Sequence, residues 1–179
     1  MTEKIRKCSQ QDTLLHVTLL ILASCLPFIP GVSDEFVFDD LPAVKNNKDM
    51  TETDPFMIFQ HDFWGENITS KHSHKVFRQS CTYLNDDYTV PHFQSYRPVT
   101  SLTYWAQYRL SGPGAGAGGF KAVNILLHCI NTLLLHQLVS SAHRRLVLTT
   151  PSSAPELLTS LMFACHPVHV EPVLSVVGR

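Results

Sequence analysis

At 179 residues the chain has room for one ordinary domain, and 14 basic against 15 acidic side chains leave a formal net charge of −1. That balance gives no field to steer a nucleic acid, so the basic residues count by position rather than by sum. The apolar residues, 44% of the chain, come in blocks, which excludes the even spread of a water-soluble core and points to membrane spans.

Residues 1–12 carry Lys4, Arg6 and Lys7 ahead of a first apolar block at 13–30. This is the layout of a signal peptide or a signal anchor. Ala23-Ser24-Cys25 imitates a cleavage site, but the apolar run continues through Leu26, Phe28 and Ile29 and further blocks come after it. A retained anchor with a cytosolic N-terminus is therefore expected under the positive-inside rule; a cleaved, secreted form is the alternative.

From 31 to 119 the chain is polar with scattered aromatics, which makes a long luminal loop if the first block spans. Asn67-Ile68-Thr69 is an N-glycosylation sequon, usable only on that side. Asp54-Pro55-Phe56-Met57-Ile58-Phe59 reads as an Asp cap, a Pro at the first helical position and an apolar face. The result is a short helix that either lies on the membrane surface or packs against the spans. Ser111 to Gly119 reads as a flexible connector outside any helix; it lacks the GK[ST] ending and preceding strand of a phosphate-binding loop.

The second block, 120–140, contains Asn124, His128, Asn131 and His136. Their spacing puts most of them on one helical side, where they pair with another helix rather than face lipid. His143-Arg144-Arg145 opens a cytosolic loop at 141–154, and Pro151 to Pro155 is its turn. The segment 155–179 is a third span with the start of a luminal segment, and the stop at Arg179, with no repeat or polar cap, reads as a truncation. The fold class is all-α: a polytopic membrane protein with about three spans and a long first luminal loop. Five cysteines without a CxxC pair or metal spacing argue against a disulfide framework.

Chemistry-bearing residues fall in the loop or at the luminal ends of the spans. Asp39 and Asp40, held between apolar residues just past the first span, are either solvated turn residues or a desolvated general base for an alcohol. Arg97, ahead of Pro98, either clamps a phosphate or snorkels to head groups. His166, His169 and Glu171 form either a polar cavity rim or, less simply, metal ligands, since the spacing is not H-E-x-x-H and two prolines break the helix. Gly178-Arg179 supplies a second cation.

The strings FVFDDLPAVKNNKD, SYRPVTSLTYW, VNILLHCINTLLL and HPVHVEPVLSVVGR, in that order, resemble the N-terminal motifs of the TMTC proteins, the transmembrane and tetratricopeptide repeat containing family. The resemblance runs from about Phe36 to Arg179. It implies a partial GT-C fold in the endoplasmic reticulum membrane. It also implies transfer of mannose from dolichyl phosphate mannose to Ser/Thr of secretory-pathway acceptors such as cadherin domains. Carried over by residue, Asp40 and Asp39 take the catalytic carboxylate role, and Arg97 and Arg179 bind the donor phosphate. His166, His169 and Glu171 line the cavity rim; the glycan site, Asn67, rests on its sequon alone. No residues are assigned to a metal, although the family leaves a divalent ion open. Lys121, where a His is expected, and Pro172-Val173-Leu174, in place of Ala-Val-Ala, depart from the pattern. Three spans leave a GT-C donor cavity open, so the chain alone is expected to be inactive. The alternative function is a non-catalytic membrane scaffold or remnant that binds folding or calcium-handling partners.

Overall fold

A computed structural model describes residues 2–51, 54–68, 95–112, 116–146 and 154–179. Helices occur in chain order as α1 (Thr2–Cys25), α2 (Lys48–Thr51), α3 (Pro98–Ser111), α4 (Ala117–Leu146), α5 (Ala154–Ala164) and α6 (Val170–Leu174), with short 3₁₀ turns between them. Among the described residues the extended pairing is an isolated antiparallel bridge between His61 and Asn67. The protein is an all-α membrane protein. Its contacts divide into a helical unit, 1–34 with 117–179, and a loop unit, 35–116.

In the helical unit two stretches are long and apolar enough to span: Asp12–Gly31, with mean hydropathy 1.9, and α4, with mean hydropathy 1.5. Along α1, Leu20 and Ser24 are buried whereas Leu14, Leu15, Leu19, Ile21 and Leu22 face outward, the pattern of a helix solvated by lipid on its outer side. Two hydroxyls within this span bond to the helix's own backbone, Thr18 Oγ1 to Leu14 O and Ser24 Oγ to Leu20 O, so neither is left unsatisfied in hydrocarbon. α4 has 30 residues, roughly 45 Å at 1.5 Å per residue against about 30 Å of hydrocarbon, so its ends project beyond the core.

α4 also begins inside the glycine-rich stretch, at Ala117, which corrects the expectation that everything to Gly119 lies outside a helix. The physical reason is a distant cap. Gly118 N donates to Asp34 Oδ1 (3.2 Å), satisfying one of the orphan amides of the first turn. A Cβ at Gly118 would sit 2.5 Å from that oxygen, so the glycine permits the approach.

A polar ladder joins α4 to α5 and to the C-terminal turns. Ser140 Oγ and His143 Nδ1 donate to the two carboxylate oxygens of Glu156 at 2.6 and 2.7 Å. His136 Nδ1 lies 3.1 Å from Ser160 Oγ, His128 Nε2 donates to Ala164 O (3.1 Å), and Asn124 Nδ2 donates to Ser175 O (2.7 Å). The expected polar side of this helix is thus present, except that Asn131 is exposed. α5 and the segment Pro167–Leu174 form a third span bent by 42° if taken as one. Pro167 explains the break, because it removes a helical donor and drives His166 before it to an extended conformation (φ −67°, ψ 129°).

The loop unit is built around Ala43, Val44, Met50, Ile58, Phe63 and Tyr104, all buried. The expected Asp cap at 54 is present: Asp54 Oδ1 accepts from Phe56 N (2.9 Å) and opens a 3₁₀ turn, Pro55–Phe59. Thr69 of the sequon, Pro113 to Ala115 of the connector and Pro151 to Ser153 of the second loop lie outside the described residues.

Candidate functional site

In the loop unit the acidic pair sits in a turn rather than an extended stretch. Phe38 has φ +46°, a left-handed conformation that costs a non-glycine residue free energy, and its side chain is 86% exposed. Directly after it, Asp40 N donates to Val37 O and Leu41 N to Phe38 O. A π-type turn, Leu41–Lys45, comes next. The turn separates the two carboxylates: Asp39 is exposed, whereas Asp40 is 1% exposed. Asp40 Oδ2 accepts from Val37 N (3.2 Å), so backbone geometry fixes this carboxylate in place.

Arg97 occupies the position before α3, where Pro98 opens the helix, and makes no side-chain cap. Its guanidinium lies over the Phe63 ring, 5.0 Å from the centroid. That stacking restricts the side chain while leaving its N–H donors in the guanidinium plane. The same ring places Arg97 beside the hairpin 61–67, which packs Phe63 against Tyr104.

That hairpin contains residues the sequence did not single out. Asp62 Oδ1 accepts from Trp64 N (2.9 Å) and Glu66 N (3.0 Å), Asp62 N donates to Glu66 O (2.7 Å), and Gly65 takes φ +81°. Asn47, buried, donates to Ala43 O and Phe63 O and accepts from Asp49 N (2.9 Å), tying the acidic segment to the hairpin. His61 Nδ1 meets Asp49 Oδ1 at 2.6 Å. The Asp-Phe-Trp-Gly run is a legible turn signal. The pairing of His61 with Asp49, twelve residues apart, is not. Asn67 is exposed and pairs with His61 in the isolated bridge.

In the helical unit Arg179 is anchored by α4: its Nε donates to Asn124 Oδ1 (2.9 Å) and its Nη2 to Phe120 O (3.2 Å). Lys121 is buried on the same helical end, with Nζ donating to Ser33 Oγ (2.8 Å). Two cations thus share one end of α4, and Asn124 both holds Arg179 and pins the turn at Ser175. His166 is exposed and its Nδ1 accepts from Val168 N (3.2 Å), which puts its proton on Nε2. His169 turns its ring toward His128 and Phe163, at 4.8 and 4.5 Å between centroids, and Glu171 is exposed in the first turn of α6. The three rim residues therefore point to different surroundings. Among the described residues no three His, Cys, Asp or Glu side chains gather as metal ligands.

Comparison with known proteins places these features in context. The chain is 40% identical over 162 residues to the human protein O-mannosyl-transferase TMTC4, a match that covers 85% of this chain and 19% of that protein. It is 32% identical over 165 residues to the protein O-mannosyl-transferase F38B6.6 of Caenorhabditis elegans, covering 92% of this chain and 20% of the relative. To the human protein O-mannosyl-transferase TMTC1 it is 36% identical over 163 residues, 90% of this chain and 15% of the relative. The chain spans a fifth or less of the length of these relatives. No protein-family model and no solved structure matches it.

Proposed function

Because the chain belongs to the TMTC family, matching members over most of its own length, we infer that it supplies part of a protein O-mannosyltransferase of the endoplasmic reticulum membrane. The donor in this reading is dolichyl phosphate mannose and the acceptor a Ser/Thr hydroxyl of a secretory-pathway protein, cadherin domains among them. The observation that carries it is Asp40: a carboxylate 1% exposed, held by a strained turn only a few residues beyond a membrane span, in the motif on which the family resemblance falls.

In this scheme the acceptor oxygen attacks the anomeric carbon, Asp40 takes the hydroxyl proton, and dolichyl phosphate departs. A phosphate leaving group needs charge stabilisation rather than protonation, so a single base with cations is sufficient chemistry. Arg97 or Arg179 is the cation assigned to the phosphate. Arg97 is preset by its stacking on Phe63 and Arg179 by its bond to Asn124. His166, His169 and Glu171 serve as polar lining in this reading.

The test is turnover in membranes by the full-length enzyme that contains this segment, with dolichyl phosphate mannose and a Ser/Thr peptide. Asp40→Asn keeps the shape and removes the base, so it is expected to lower turnover about 10²–10⁴-fold without loss of membrane insertion. Asp39→Asn, at the exposed position, is expected to have the smaller effect. Near wild-type turnover in both variants would assign the base elsewhere, with Glu171 the next candidate.

A further inference from the structure

Asp49 is the second deeply buried carboxylate of the loop unit, and nothing in the transfer scheme uses it. Its side chain is 1% exposed, and that of His61, its partner at 2.6 Å, is 17% exposed. Asp49 Oδ2 has no hydrogen-bond partner among the described residues. A buried carboxylate satisfied on one side only is costly to keep. A plain structural clasp between α2 and the hairpin would be cheaper with a neutral amide. An amide could either accept from Nδ1 or donate to it, whereas the carboxylate only accepts; it therefore fixes the ring in a single tautomer and leaves Nε2 as the atom for a ligand.

The chemistry of that ligand is set by the pair. The buried carboxylate disfavours a phosphate or other anion beside it, and no third ligand gathers there for a metal among the described residues. A hydroxyl fits, because it donates to a neutral Nε2 and accepts from a protonated one. We propose that Asp49 and His61 form a hydroxyl-binding dyad in which His61 Nε2 holds a substrate hydroxyl and Asp49 positions the ring. The hydroxyl belongs either to the mannosyl group or to the Ser/Thr acceptor. This inference rests on the mannosyltransferase reading, and its test separates the two.

The full-length enzyme is assayed as wild type, His61→Gln, Asp49→Asn and the double variant, with the KM of donor and of acceptor measured separately. Loss of one hydrogen bond to substrate is expected to raise one KM about 10–10²-fold and to leave the other unchanged; the KM that rises names the substrate. Asp49→Asn should move the same KM, and the double variant should be no worse than His61→Gln, since Asp49 acts through the ring. A second measurement needs no variant: carbethoxylation of His61 in the wild type by diethyl pyrocarbonate, read by peptide mass, should be slowed by the substrate whose KM moved. Wild-type transfer with both KM values and kcat unchanged in His61→Gln would overturn the dyad and leave the functional reading standing. So would modification of His61 that neither substrate slows. A wild type that transfers nothing would instead refute the functional reading, and protection of His61 would still decide whether the dyad binds either hydroxyl-bearing compound.

Discussion

Gly65 shows how much one residue decides in the loop unit. Its φ of +81° closes the hairpin, and a Cβ there would collide with the Asn47 side chain. Asn47 is the strut between the acidic segment and Phe63, so the collision has nowhere cheap to go. Gly65→Ala is expected to destabilise the loop unit by roughly 1–2 kcal/mol from the left-handed conformation alone, with the displaced Asn47 adding to it. Faster limited proteolysis of the loop in detergent-solubilised protein would report this, and an unchanged digestion rate would contradict it. The same scale separates Asp39 from Asp40. Adjacent in sequence and alike in chemistry, they differ because the turn after Phe38 exposes one and buries the other.

Among the helices, the pairing of α4 with α5 turns on Glu156, which takes hydrogen bonds from Ser140 and His143 on successive turns of α4. Helices in lipid gain little from apolar burial against one another, so such bonds and close packing supply the association. Glu156→Ala removes both bonds and leaves two donors unmatched; it is expected to weaken the hairpin by about 1–2 kcal/mol. Unfolding in mixed detergent should show this. Ser140→Ala combined with Glu156→Ala should cost less than the sum of the two single changes, because they share one interaction. Full additivity would mean that the contact contributes nothing.

For the whole molecule, the charges flanking the spans bear on which side of the membrane holds the loop unit. The basic residues ahead of the first span and the His143-Arg144-Arg145 end of α4 both favour a cytosolic location for their own ends, which predicts a luminal Asn67. Translation into microsomes should therefore yield a glycosylated species whose mass shift is reversed by an endoglycosidase and abolished by Asn67→Gln. Protease added outside intact vesicles should spare the stretch from Gly31 to Gly119; cleavage there would invert the topology.

What could be read without coordinates was whatever depends on composition and short-range order. The two long apolar stretches, the Asp54 cap and the proline break after Ala164 are local, because hydropathy, capping and the missing proline donor act within a few residues. The family was legible for the same reason, as four ordered strings along the chain. Tertiary structure alone decided which polar groups meet. Asp34 caps α4 from 84 residues away, Arg179 finds Asn124 across 55, and His61 closes on Asp49 across 12. Those pairings carry no periodic or motif signal. They exist because a buried donor or acceptor left without a partner is costly, and the fold, rather than the neighbouring sequence, sets which partner is within reach.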